Sequence, residues 1–292
     1  MGCEEYPDRV RDGKDDGIVS SAAQFMAEPA IDVHGHCGEY GGYNDLTARL
    51  MNASAEVVAR RAAQCAIRLT VVSELSAFDP SSECKADVAA GNARAAAAVE
   101  PLDTLRFYAV LNPLNEGWEE DTSQLLEHPK CVGVKLHPRW HYWPVREYGD
   151  RVFAFLNEHK ALTLTHTGNE GNDPLEFVPF ANKCPDMHLI LAHIGHDEEL
   201  RRRYDRQTQA VKRCTQGNVW ADTSSSNSVI SRLIEFAVDQ IGAERILFGT
   251  DTPLYFPATQ KARVAYAEIS DDAKRLILHD NAAELLGISL RD

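Results

Sequence analysis

The hydrophobic positions of the chain recur from residue 30 onward in short β-rich runs that alternate with longer stretches of helical periodicity. Several runs are almost continuously apolar, as expected of parallel strands that are covered on both faces. The eight predicted strands are AIDVH (30–34), AIRLTVVSEL (66–75), LRFYAVLNP (105–113), CVGVKLHP (131–138), ALTLTHTG (161–168), HLILAHIGH (188–196), NVWADTS (218–224) and RILFGTDTP (245–253).

The stretches between these runs predict helices. Residues 145–160, for example, space Val152, Phe155 and Leu156 along one face, as an amphipathic helix does. Helices are predicted over 54–65, 86–100, 145–160 and 227–242, with a solvated helix face over 198–206 and two closing helices over 271–288.

Eight strand–helix units in about 260 residues predict an α/β fold, the (β/α)8 TIM barrel. A doubly wound sheet is the competing architecture. If it bound a dinucleotide it would need a glycine-rich turn after its first strand, and the sequence has no G-x-G-x-x-G. We therefore predict one barrel domain over residues 29–292, preceded by a polar N-terminal extension over residues 1–28.

Composition narrows the partners. The formal net charge of −14 disfavours nucleic acid and anionic membrane, although local cations and a metal could still attract an anionic substrate. No run approaches the roughly 18 apolar residues of a bilayer span, and the first residues are too polar for a signal peptide. We expect a cytoplasmic protein.

The seven scattered cysteines include no C-x-x-C pair, which predicts reduced thiols rather than disulfides or a thiolate zinc site.

Polar residues cluster where the predicted strands end. In a TIM barrel all these ends form one rim, and the active site lies there. Six of the eleven histidines occupy such positions. The polar residues at strand ends are His34, His36, Lys135, His137, His166, His193, His196, Asp222 and Asp251.

Four of these residues predict a metal site. His34, His36, His166 and Asp251 could meet within bonding range of one ion, because their strands share the rim. Imidazole and carboxylate ligands suit Zn²⁺, with Mn²⁺ or Fe²⁺ as alternatives, and such a set leaves a position open for water.

The loop after the fourth strand predicts a wall of the substrate pocket. Residues 137–146 carry His137, Arg139, Trp140 and Trp143 near the barrel mouth, which suits an organic acid or an aromatic ring. The alternative is that the two tryptophans only pack the loop. Asp222 is expected near the pocket, with a structural capping role as the alternative.

The motifs together resemble the amidohydrolase superfamily. His-x-His after the first strand, His166, His193 and GTD at the eighth strand carry this resemblance. The segments VGVKLHP, LAHIGH, FGTDTP and NAAELLGI are most similar to the amidohydrolase-2 branch of metal-dependent hydrolases and decarboxylases, over residues 30 to 288.

The resemblance implies roles for individual residues. His34, His36, His166 and Asp251 would hold one metal, Asp251 would also act as the acid–base group, and His193 would polarise the substrate. Lys135 would bind substrate as a cation, or bridge a second metal if it were carbamylated. Together with the strand-end and loop residues named above, this gives Lys135, His137, Arg139 and Asp222 as the predicted substrate-binding set. A homo-oligomer is also implied.

Two reactions suit this site. Metal-activated water could attack the carbonyl of a small amide, ester or lactone, which is the reaction that we favour. The alternative is non-oxidative decarboxylation of a small carboxylic acid, either aromatic or non-aromatic, in which Asp251 would protonate carbon. A barrel that binds metal without catalysis is a further alternative, because fold does not fix function.

Overall fold

Eight parallel strands lie side by side in the order of the sequence. The computed structural model describes residues 22–39, 44–78, 87–168, 171–197, 203–224 and 229–288. The strands are β1 (Ala30–Cys37), β2 (Ile67–Glu74), β3 (Leu105–Leu111), β4 (Cys131–Leu136), β5 (Leu162–Thr165), β6 (His188–Leu191), β7 (Val219–Asp222) and β8 (Ile246–Leu247).

Backbone hydrogen bonds between β1 and the segment around β8 close the sheet. The amide of Val33 donates to the carbonyl of Phe248 at 3.0 Å, and the amide of Asp251 donates to the carbonyl of His34 at 2.7 Å. A parallel bridge joins Gly35 to Thr252. The sheet is therefore a (β/α)8 barrel, and the fold predicted from the sequence is confirmed.

Twelve helices are found within the described residues, mostly between successive strands. They are α1 (Ala22–Ala27), α2 (Asp45–Met51), α3 (Ala55–Gln64), α4 (Val88–Val99), α5 (Trp118–Leu126), α6 (Val145–Glu158), α7 (Pro174–Lys183), α8 (Arg206–Arg213), α9 (Leu233–Ile241), α10 (Pro257–Ala265), α11 (Asp271–Arg275) and α12 (Asn281–Leu286). A π-helical turn, Leu276–Asp280, joins the two closing helices. Residues 198–202 of the predicted charged helix lie outside the described residues.

Helix α1 packs against the barrel although it falls within the predicted extension. Phe25 is fully buried, and the ammonium of Lys274 lies 4.9 Å from the centre of its ring. Lys261 of α10 donates to the carbonyls of Glu28 and Cys65, at 2.6 and 2.7 Å. Residues 22–28 are thus anchored to the barrel domain, whereas residues 1–21 of the predicted extension lie outside the described residues.

The core has two layers. Apolar side chains from alternating strand positions, such as Ile31, Val71 and Leu164, fill the barrel interior, and α12 packs against them. A larger layer lies between the strands and the surrounding helices. None of the helices that the structure describes is both long and apolar enough to cross a membrane.

Cysteine pairing follows the sequence expectation wherever the structure describes it. Five cysteines are free thiols, and Cys3 and Cys84 lie outside the described residues. The free thiols are those of Cys37, Cys65, Cys131, Cys184 and Cys214.

Asn92 of α4 substitutes for a missing strand partner. The β2–β3 ladder ends where Val72 pairs with Phe107, so the backbone of Val110 has no strand neighbour on that side. The Asn92 amide donates to the carbonyl of Val110 at 2.9 Å and accepts from its amide at 2.8 Å. One buried side chain therefore satisfies two buried backbone groups.

We expect Asn92→Ala to lower the free energy of unfolding by about 2 kcal/mol, because it leaves two buried backbone groups without partners. Urea denaturation followed by circular dichroism measures this. Arg60→Ala, on the exposed face of α3, is the control and should change the value little. Equal stability of the Asn92 variant and the wild type would contradict this account.

Candidate active site

The carboxyl ends of six strands bring most of the predicted site residues together in a buried cluster. His34 and His36 lie in β1, and each is less than 5% exposed. Arg139 is the exposed member of the predicted set. The buried members from the other strands are Lys135 in β4, His137 after β4, His166 after β5, His193 after β6, Asp222 at the end of β7 and Asp251 after β8.

Three of the four predicted metal ligands converge. Oδ1 of Asp251 lies 3.0 Å from Nε2 of His36 and 3.5 Å from Nε2 of His34. One ligand atom from each residue lies within 4.8 Å of the others. These three residues, which we call the ligand cluster, present two imidazole nitrogens and a carboxylate oxygen to one point.

The opposite ring nitrogens of the two histidines are anchored. Nδ1 of His34 lies 2.8 Å from Oδ2 of Asp222, and Nδ1 of His36 lies 2.8 Å from the hydroxyl of Ser73. A carboxylate can only accept, so the His34 proton resides on Nδ1 and its Nε2 carries a lone pair. That lone pair and the Asp251 carboxylate face the same point, which is the donor set that a divalent cation requires.

Lys135 lies against the ligand cluster. Its ammonium nitrogen is 2.9 Å from Nε2 of His34 and is fully buried. Burial lowers the pKa of Lys135 to about 8, even though Asp251 and Asp222 counteract this effect. The amine is thus close enough to contact an anion that is bound at the ligand cluster.

The pKa values of His36 and Asp251 are both lowered, but by different causes. Burial lowers the pKa of His36 to about 4, which favours the neutral imidazole that binds metals. Burial alone would raise the pKa of Asp251, but the adjacent His34 and His36 hold it below its ordinary value. The neutral imidazole and the ionised carboxylate are the forms that coordinate a cation.

His166 lies beside the ligand cluster rather than within it. Its Nδ1 is 3.1 Å from Nε2 of His193, and its ring stacks on His137 with centroids 4.2 Å apart. The structure therefore brings together three of the four predicted metal ligands, and a metal-binding role for His166 stays a prediction. His193 itself is fully engaged, because its Nδ1 lies 2.7 Å from the hydroxyl of Ser224.

Asp222 is buried behind His34. Its Oδ1 accepts the backbone amides of His193 and Ser224, both at 2.9 Å, and its Oδ2 faces His34. His34, His193 and Asp222 also bring one nitrogen or oxygen atom each within 4.8 Å of the others. Because Nδ1 of His34 uses its proton to bond Asp222, this second group is a hydrogen-bonded support for His34 rather than a second cation site.

The loop after β4 contains both a packing residue and a pocket wall. Trp143 is 2% exposed and packs in the core, whereas Trp140 is half-buried. The rings of Trp140 and His137 are 4.2 Å apart and inclined by only 7°. His141 anchors the loop by a 2.8 Å contact between its Nε2 and the carbonyl of Ala77. Because His137 also stacks on His166, the three rings form a continuous stack beside the ligand cluster.

The backbone around β8 is held close to the neighbouring strands. A Cβ atom on Gly249 would lie only 3.0 Å from Cβ of His34 and 3.2 Å from Cγ of Asp222. His193 and Asp251 have positive φ values of 71° and 58°, a conformation that costs energy for residues other than glycine. Close packing and local strain therefore coincide at the cluster.

Sequence reasoning missed three supporting residues: Ser73, Ser224 and Asp32. The carboxylate of Asp32 accepts the Thr250 hydroxyl at 2.6 Å and the amide of His34 at 3.0 Å. The only sequence signals were a carboxylate inside an apolar run and a serine two positions after Asp222.

Comparisons with known proteins agree with this geometry. A family model described as Amidohydrolase matches residues 31–288, which confirms the resemblance found in the sequence motifs. No curated protein matches the chain.

Solved structures share the fold at low identity. The structure of 2,6-dihydroxybenzoate decarboxylase with 2,6-dihydroxybenzoate has a TM-score of 0.69 at 14% identity, covering 89% of this chain and 100% of that chain. The structure of 5-carboxyvanillate decarboxylase from Sphingomonas paucimobilis has a TM-score of 0.59 at 13% identity, and the match covers 89% of this chain and 99% of that chain. A Pseudomonas putida protein with the provisional name 2-pyrone-4,6-dicarboxylic acid hydrolase has a TM-score of 0.61 at 16% identity, and the match covers 90% of this chain and 99% of that chain.

We expect Ser73→Ala to weaken Zn²⁺ or Mn²⁺ binding about tenfold, because the His36 ring loses the group that orients it. Isothermal titration calorimetry measures the affinity. Ser76→Ala is the matched control, since that hydroxyl contacts Glu74 and Arg94 instead of a histidine. Unchanged affinity in the Ser73 variant would contradict the role of His36 as an oriented ligand.

Proposed function

Because the chain belongs to the amidohydrolase family, we propose that it is a metal-dependent hydrolase of a small carboxylated amide, ester or lactone. The observation that carries this proposal is the ligand cluster, in which Asp251 lies within 3.5 Å of the Nε2 atoms of His34 and His36. An aspartate in that position can be both a ligand and the group that moves a proton.

The ligand cluster would hold one divalent cation, with His166 as the fourth protein ligand. The mixed nitrogen and oxygen donors favour Zn²⁺, and Mn²⁺ or Fe²⁺ would also fit. A cation bound by such residues lowers the pKa of water and polarises a carbonyl oxygen.

The protein side chains supply the remaining steps. Asp251 accepts the proton of the attacking water and returns it to the leaving group. Lys135 contributes a buried positive charge next to His34, which favours a carboxylate substrate. Arg139 provides a second cation at the mouth, and its charge also acts on His196. Asp222 fixes the orientation of His34, so we assign it a positioning role in place of direct substrate binding.

Decarboxylation of a small aromatic acid is the second candidate. Trp140 favours it. This half-buried ring stands at the end of a parallel stack with His137 and His166, and a planar substrate ring can lie against its outer face. Two of the similar solved structures are, by name, a 2,6-dihydroxybenzoate decarboxylase and a 5-carboxyvanillate decarboxylase. In this reaction Asp251 would take up a proton from water and deliver it to the ring carbon, and the bond to the carboxylate carbon would break to release CO₂.

We expect the protein, purified without added metal, to contain about one equivalent of divalent cation, because one ligand cluster is formed. Elemental analysis measures this. His34→Ala should lose the metal, whereas His188→Ala, at the opposite end of β6, should retain it. Two equivalents would support a carbamylated Lys135, and a metal-free protein would contradict the proposal.

We expect Asp251→Asn to lower turnover at least a hundredfold, because the amide cannot accept the proton. The assay follows acid released from carboxylated lactones, amides and esters, and CO₂ released from hydroxybenzoates. His188→Ala should keep wild-type turnover. Stoichiometric CO₂ would replace the hydrolase proposal by the decarboxylase one. A metal-loaded protein without turnover on any substrate would favour a non-catalytic barrel.

A further inference from the structure

The hydroxyl of Ser224 lies at the junction of three buried side chains. Its oxygen is 2.7 Å from Nδ1 of His193 and 3.0 Å from Nδ1 of His34. It also forms a very short contact with Oδ1 of Asp222. Ser224 and Asp222 have no exposed surface, so water does not compete for these bonds.

The protons at this junction can be counted. Oδ1 of Asp222 accepts the amides of His193 and Ser224, and Oδ2 accepts from Nδ1 of His34. With both oxygens surrounded by donors, Asp222 carries no proton of its own. The single hydroxyl proton of Ser224 must therefore point to Oδ1, so the Ser224 oxygen can only accept a hydrogen bond from an imidazole. The Nδ1 proton of His34 is already donated to Asp222, which leaves Nδ1 of His193 as the donor to Ser224.

This arrangement determines where the imidazole protons lie. Nδ1 of His193 must donate to Ser224, so Nε2 of a neutral His193 carries a lone pair. That lone pair lies 3.1 Å from Nδ1 of His166, which must then be the protonated nitrogen of His166. The unprotonated nitrogen of His166 is consequently its Nε2.

We propose that Ser224 is a positioning residue which, together with Asp222, sets the tautomers of His34, His193 and His166. His34 and His166 are thereby left with lone pairs on Nε2, the form in which an imidazole binds a cation. His193 then supports His166 and does not donate to a substrate oxygen, which differs from the polarising role expected from the sequence. The proton positions stand on geometry alone, and their importance for catalysis rests on the proposed function.

Nuclear magnetic resonance can read the tautomers directly. Long-range ¹H–¹⁵N spectra of the full chain with ¹⁵N-labelled histidine, with and without bound Zn²⁺, distinguish protonated from unprotonated ring nitrogens. His193→Gln identifies the signals of His193. We expect the wild-type protein to show His193 and His166 protonated on Nδ1, and His193 protonated on Nε2 would overturn the proposal.

Substitution of Ser224 tests its role. Ser224→Ala should shift His193 away from the Nδ1-protonated form and weaken Zn²⁺ binding about tenfold. Ser224→Thr keeps a hydroxyl and should restore both properties, and Ser76→Ala should change neither. A His193 signal unchanged in Ser224→Ala would overturn the proposal. Failure of the proposed function would instead show as absent turnover with the tautomers intact.

Discussion

The seam between β1 and β8 is the constraint on which the site depends. The carbonyl of His34 accepts the amide of Asp251 across this seam, and Asp32 accepts both the amide and the hydroxyl of Thr250. These bonds hold the imidazole-bearing strand and the carboxylate-bearing turn at a fixed separation. The distance between Asp251 and the two histidines is therefore set by the backbone as much as by the side chains.

Much of the fold could be predicted because the barrel strands are apolar at their amino-terminal halves. The predicted runs extended too far at β5 to β8, where the ladder stops and residues such as His193 and Asp251 adopt positive φ. The polar residues of the site interrupt the regular strand pairing there, so the hydrophobic pattern of the sequence no longer indicates where a strand ends. Helices such as α8, with the sequence RQTQAVKR, were missed because a short polar helix has almost no apolar stripe.

The histidines, lysine and aspartates that the structure brings together could be picked out of the sequence because they follow predicted strands, whereas the small residues that contact them could not. Histidines at strand ends are easy to recognise in a sequence, because few residues of this type follow an apolar run. Ser73 and Ser224 are small polar residues of a kind that is common in any loop. Their importance arises from neighbours distant in the chain, such as His36 for Ser73. Likewise, the interaction of Asp222 with His34 spans 188 positions and leaves no local signal.

The absence of a side chain at Gly249 has a consequence for changing this protein by design. Any Cβ there would press on both His34 and Asp222, so a side chain at this position would require these neighbours to shift. Arg139 and Trp140 lie outside that packing, in the loop after β4, where Arg139 is exposed and Trp140 is half-buried. New substrates are therefore to be sought by changing Arg139 and Trp140, while His141 and Trp143 are kept because they anchor the loop.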